Sequence, residues 1–146
     1  MGSRLTVAAL LLVAATLAAK VLDRRRGRTA QLGGYEVPTW LDRRDFPGTG
    51  TPWLVVLFSS RTCASCFEVS KRIGALSRPG EVHTSEVEAD ARADLHRRYA
   101  IEAVPLVAIA DAEGSVRAGF LGLPRPGELE EALERLRAEE QDQPFG

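Results

Sequence analysis

Six apolar residues in a row, Trp53-Leu54-Val55-Val56-Leu57-Phe58, run almost directly into the only two cysteines of the chain, Cys63 and Cys66, after which the apolar spacing turns helical. A continuous apolar run of this kind suits a strand buried on both faces, so other elements must cover it from two sides. The cysteines then fall where the chain passes from strand to helix. Two residues apart, they are close enough to bridge, and the start of a helix favours the negative charge of a thiolate. A strand that delivers such a pair to a helix start is built for thiol–disulfide chemistry. Buried, inert thiols seldom occupy a junction of this kind.

The rest of the chain supplies the covering layers. Phe67, Ile73, Ala75 and Leu76 fit a helix lying on a core, stopped by Ser77-Arg78-Pro79-Gly80. Glu81 to Glu88 alternates Val82, Thr84 and Glu86 against His83, Ser85 and Val87, as a strand does. Asp90 to Tyr99 predicts a helix with Leu95 and Tyr99 on its inner face. Val104 to Ala110 is a second apolar strand, and Asp111-Ala112-Glu113-Gly114 a hairpin turn with glycine where a positive φ is needed. Ser115 to Leu121 then returns antiparallel. Pro126 is expected to open a last helix, acidic early at Glu128, Glu130 and Glu131 and basic late at Arg135 and Arg137, with Leu129, Leu133 and Leu136 inward. Ahead of the first long strand, Tyr35-Glu36-Val37-Pro38 is expected as a short edge strand, Thr39 to Phe46 as a weak helical stretch, and Pro47 to Pro52 as a loop. From the first long strand the order is β-α-β-α-β-β-α, which implies an α/β fold: a central mixed β-sheet flanked by helices.

The first residues differ in kind. Leu5 to Leu22 is apolar except for Lys20. At about 1.5 Å per residue a helix of this length just crosses a hydrocarbon core. We therefore expect residues 1–24 to be a membrane anchor, one N-terminal transmembrane helix, with an uncleaved or cleaved signal as the alternative (Ala18 and Ala19 would suit cleavage). A basic linker follows over 25–34, the domain over 35–140, and a tail over 141–146. Lys20, Arg24, Arg25, Arg26 and Arg28 outweigh Arg4 and the α-amine, so the positive-inside rule places the domain in the cytoplasm, and an extracytoplasmic placement stays open.

The net charge is −1, with no basic stripe in the body of the chain, so nucleic acid is not an expected partner. Two cysteines cannot make a disulfide framework or a four-cysteine zinc site. They could still bind copper(I), or zinc with added ligands, so a metallochaperone or a non-catalytic binding module is the alternative to an oxidoreductase. His83 and His96 are the only histidines. His96, beside Arg97 and Arg98, reads as a solvated surface residue, and His83 as an ordinary strand residue. No metal site and no organic cofactor are expected, and the molecule is expected to be a monomer.

Three stretches resemble the thioredoxin-like family in register, over roughly Tyr35 to Arg137. They are the apolar strand ending in Ser59-Ser60-Arg61-Thr62-Cys63-Ala64-Ser65-Cys66-Phe67, the segment Tyr99-Ala100-Ile101-Glu102-Ala103-Val104-Pro105, and the hairpin ending in Phe120-Leu121-Gly122. The resemblance implies a thioredoxin-like fold, a cis peptide bond before Pro105, and Pro105 facing the cysteine pair. It also implies that Cys63 is the exposed nucleophile and Cys66 the shielded, resolving thiol, and that the backbone of Val104 pairs with an extended partner. Thr62, Ala64, Ser65, Val104 and Pro105 are then the candidate substrate-binding residues, with Ser65 able to donate a hydrogen bond to a thiolate. The expected partner is a dithiol or disulfide, in a protein or a small molecule. The chain departs from the family's pattern at Thr62, where a tryptophan is usual, at Ala64-Ser65 in place of Gly-Pro, and at Leu57, where the strand commonly carries a buried carboxylate. The lysine that neighbours that carboxylate falls at Glu86. A specialised, membrane-tethered member fits this pattern better than a general thioredoxin.

Overall fold

The computed structural model describes residues 34–48 and 50–142; the expected anchor and most of the linker and tail lie outside the described residues. Strand β1 (Trp53–Ser59) is the centre of the sheet, and every one of its residues is buried. Helix α1 (Cys66–Ala75) follows, then β2 (Val82–Glu88), helix α2 (Ala93–Arg98), the hairpin of β3 (Leu106–Ala110) and β4 (Val116–Leu121), and helix α3 (Glu128–Gln141). The four strands lie in the order β2-β1-β3-β4. β1 runs parallel to β2 and antiparallel to β3, and β3 is antiparallel to β4, so the sheet is mixed as the order of elements implies.

The period of two along β1 divides the core between the two faces of the sheet. Leu54, Val56 and Phe58 pack with Leu41, Phe46, Val87, Leu95, Tyr99, Leu106 and Ala108, under α2 and the segment leading into β1. Trp53, Val55 and Leu57 pack on the other face with Val69, Ile73 and Leu76 of α1 and its C-terminal cap and Leu129, Leu133 and Leu136 of α3. Both helices present apolar residues at helical spacing and are stripped of water along one side only.

Several boundaries differ from the sequence-based expectation. The edge pairing extends past Tyr35–Pro38: Tyr35 is a bridge residue, and pairing resumes at Thr39 to Leu41. Trp40 bridges to Ser115, Leu41 N–H donates to Gly114 O at 2.8 Å, and Val116 N–H donates to Thr39 O at 3.0 Å. Isolated bridges are too short to leave an alternating pattern. The helical stretch of 39–46 contracts to a single 3-10 turn, Arg43–Asp45, capped by the Asp42 side chain. Arg43 is buried there and donates to the carbonyls of Asp111 and Thr51 at 2.7 and 2.8 Å, so its hydrogen bonds leave the turn instead of continuing a helix. α3 starts at Glu128 after Gly127, whose φ of 81° is left-handed, and the Glu128 carboxylate reaches back to Arg125 N–H at 2.7 Å. Because α3 continues to Gln141, Arg135 and Arg137 stand mid-helix and not in its last turn; Arg137 instead pairs with Glu81 at 2.6 Å. His96 is not a solvated surface residue: its Nε2 lies 2.9 Å from Val87 O, and its ring meets Phe58 edge-on.

Tyr99 joins α2 to the 3-10 turn. Its hydroxyl donates to the Asp45 carboxylate at 2.5 Å and accepts from Asp42 N–H at 3.0 Å. Burial, reinforced by the Asp45 carboxylate, pushes its phenol up to about 12. An unfolded tyrosine titrates near about 10. The folded state therefore favours the neutral phenol, a contribution that is full below about pH 10 and lost as pH rises toward about 12. In a Tyr35→Phe background, absorbance at 295 nm should report the Tyr99 titration well above pH 10, and Tyr99→Phe should remove its part of the alkaline loss of stability. A Tyr99 midpoint at the ordinary value would contradict the arrangement.

Candidate functional site

The site lies at the C-terminal end of β1. After Ser59 the chain turns through Ser60 to Ser65, with Cys63 N–H donating to Ser60 O at 3.1 Å and Cys66 N–H to Cys63 O at 3.2 Å. These turns place Cys63 just ahead of α1 and Cys66 as its first residue. The two sulfurs are joined as a disulfide, with Cα atoms 5.4 Å apart. Cys66 is 3% exposed, whereas Cys63 is half-buried rather than openly exposed. Of the two cysteines, only Cys63 keeps appreciable contact with solvent. The Ser65 hydroxyl lies 3.8 Å from Cys63 Sγ, and since a bridged sulfur has no proton, the hydroxyl is the donor. Thr62 and Ala64 are exposed beside the pair, and the Thr62 hydroxyl meets Ser60 Oγ at 3.0 Å.

Strand register brings the distant proline to the same end. Phe58 pairs with Leu106, so the chain just before β3 and the chain just after β1 share one rim of the sheet. The Val104–Pro105 bond is cis. Pro105 is buried, Val104 half-buried, and Pro105 O accepts from Gly122 N–H at 2.8 Å, which ties the rim to the end of β4. Among the described residues neither backbone polar group of Val104 is bonded to another backbone group, which leaves a short unpaired edge beside the cysteines. Arg61, next to Thr62, is held away by Asp90 at 2.6 Å, a pair that keeps its guanidinium charged.

Leu57 occupies the strand position six residues before Cys63 and is fully buried among apolar side chains. Across from it on β2 stands Glu86, matching the register expected from the sequence. Its carboxylate is bonded to the hydroxyls of Ser59 and Ser70. Glu86 could be singled out from the sequence, but its two serine partners could not, because neither hydroxyl has a signature until β1, β2 and α1 are packed. Among the described residues no group of three or more histidine, cysteine, aspartate and glutamate side chains is placed to hold a metal ion. Among the described residues, too, no helix is long and apolar enough to cross a membrane.

No protein-family model and no curated protein matches the chain. Solved structures do. A mutant thioredoxin from Halobacterium salinarum is 17% identical, with a TM-score of 0.53 over 60% of this chain and 76% of that one. A malarial protein is 15% identical, with a TM-score of 0.53 over 58% of this chain and 97% of its own. At these identities the likeness is one of fold: a mixed four-stranded sheet with helices, as in thioredoxin, carrying a Cys-x-x-Cys pair at disulfide distance.

Proposed function

We propose that the protein is a membrane-tethered thiol–disulfide oxidoreductase. The observation that carries this reading is the Cys63–Cys66 pair at the strand-to-helix junction, with one sulfur half-buried and the other sealed. Cys63 attacks the partner's disulfide as a thiolate, favoured by the N-terminus of α1. Cys66 then attacks Cys63 and releases the partner reduced; the reverse sequence oxidises a dithiol. Thr62, Ala64, Ser65 and Pro105 form the surface the partner meets, and the backbone of Val104 pairs with an extended segment of it. The apolar stretch over 5–22 anchors the domain, and the arginines after it hold the domain on the cytoplasmic side, where the redox poise favours reduction of partners.

Alkylation tests the chemistry. The reduced full chain, treated with limiting iodoacetamide at neutral pH, should be modified first at Cys63 and lose exchange activity in step. Equal, slow labelling of both cysteines would overturn the reading. So would stoichiometric copper or zinc that survives dialysis and is lost in Cys63→Ser, the signature of a metal carrier. A topology reporter fused after Gly146 should be active in the cytoplasm.

A further inference from the structure

The entry segment fixes the end of the domain at which the chain arrives. Trp40 bridges antiparallel to Ser115, beside the β3–β4 turn, and its indole N–H donates to Glu113 O at 3.1 Å. Three residues earlier, Val37 lies against Gly119, where a Cβ would collide with it. Followed backwards, the segment climbs along β4. Gly34 comes level with the end of that strand, where Gly122 N–H meets Pro105 O. Gly34, Glu36 and Pro38 line a groove of about 440 Å³ together with Tyr99, Ala100 and Glu102. Val104 and Pro105 follow Glu102 in the chain by two and three residues. The chain thus enters the domain at the rim that carries the cysteine pair. The opposite end, at the Gly114 turn, lies the length of β1 away, about 20 Å at about 3.3 Å per residue. Among the described residues four large hydrophobic side chains are exposed. Tyr35, Phe67 and Leu123 stand at the rim: beside the entry point, in the first turn of α1 and just past β4. Trp40 alone stands at the opposite end. Exposed apolar groups gathered at one end mark a contact surface.

We propose that this end of the domain faces the bilayer, and that Cys63 and Cys66 act on disulfides that membrane proteins carry at the membrane surface. The proposal rests on the reading of the chain as a tethered redox protein. Eleven residues separate Leu22, the last of the apolar stretch, from Gly34. Fully extended they reach at most about 40 Å. They join the domain at the rim itself, so the pair stays within reach of the surface. Had the chain entered at the Gly114 end, the body of the domain would stand between the pair and the bilayer. Tyr35, Phe67 and Leu123 then meet the headgroup boundary. An apolar body with a polar tip suits that boundary, as in Tyr35, and so does a lysine beside an aromatic ring, as Lys71 stands by Phe67. In the reaction Cys63 displaces one sulfur of the partner's disulfide and Cys66 the other. Both leave as thiols with the protons and electrons of the two cysteines, and the pair is left as the Cys63–Cys66 disulfide.

The full chain, reduced and reconstituted in phosphatidylcholine vesicles, tests this with two probes. One is a phosphatidylethanolamine whose headgroup carries a pyridyl disulfide, the other soluble 2,2′-dithiodipyridine. Released pyridine-2-thione reports both reactions. Six Glu-Ala-Ala-Ala-Lys repeats inserted between Gly33 and Gly34 add a spacer of about 45 Å. The reaction with the lipid-borne disulfide should then fall by about tenfold or more, while that with the soluble one holds. Energy transfer to a rhodamine-labelled lipid reads the orientation. A donor on Cys63 of a Cys66→Ser chain should be quenched more strongly than a donor at position 113 of a Cys63→Ser, Cys66→Ser, Glu113→Cys chain, whose label sits at the opposite end. A spacer that leaves both rates unchanged, or a donor at position 113 quenched as strongly as one on Cys63, would overturn the proposal. A chain that does not float with the vesicles would instead overturn the tether, and one that reacts with neither disulfide would overturn the redox-pair reading.

Discussion

A Cys66→Ser variant mixed with an oxidised protein partner should accumulate as a covalent adduct through Cys63, and Cys63→Ser should form none. The two outcomes separate the roles of the sulfurs. Cys63 is half-buried at the mouth of the site and Cys66 is sealed, so an incoming disulfide meets Cys63 first. Without Cys66 the mixed disulfide has no internal nucleophile at hand and persists until an outside thiol finds it. Without Cys63 exchange should fall by orders of magnitude, because the serine hydroxyl that replaces it stays protonated and is a poor nucleophile without an adjacent base. Non-reducing electrophoresis reads both results, and a fresh thiol should dissolve the Cys66→Ser adduct. Adduct formation in Cys63→Ser, through Cys66, would reverse the assignment.

Phe58→Ala should be the most damaging of the conservative core substitutions. Phe58 is fully buried at the end of the central strand, edge-on to Tyr99 at 6.0 Å and to His96 at 5.5 Å. Truncating a buried phenylalanine costs about 3–5 kcal/mol, from lost burial and from the cavity left behind. Domains have about 5–15 kcal/mol in all, so the denaturation midpoint should fall steeply and a sizeable fraction of molecules should unfold near body temperature. Phe67→Ala is the control. Phe67 is 70% exposed on the outer side of α1, with Lys71 Nζ 4.5 Å from its ring centre, and its removal should change stability by less than about 1 kcal/mol. Equal losses in the two variants, by chemical denaturation, would contradict the packing described.

These two phenylalanines also show what could be read ahead of the fold. The apolar run 53–58 announced a strand buried on both faces, and β1 is that strand, because an unbroken apolar segment has no side it can show to water. Phe67 was expected to help bury α1 and does not. The spacing of Val69, Ile73 and Leu76 already fills the inner face, and Phe67 falls on the opposite side. The helix-start placement of the cysteines was legible for the same reason as β1: it depends on neighbours in sequence. So was the β3–β4 turn at Gly114, whose φ is 88° and where a Cβ would collide with Leu41 O. That Leu41 is the neighbour was not legible, since a single bridge between residues far apart in the chain leaves no period to detect.

By itself the sequence determined the alternation of strands and helices, the central place of Trp53–Ser59, and the delivery of Cys63 and Cys66 to the start of α1. Each is set by periodicity or by residues a few positions apart. Only the tertiary structure decided that Tyr99 and Arg43 fasten the entry segment, and that Glu86 meets Ser59 and Ser70. Those contacts join residues 16 to 68 positions apart. A hydrogen bond across such distances is specified by the packing of whole elements, and no local pattern of residue types carries it.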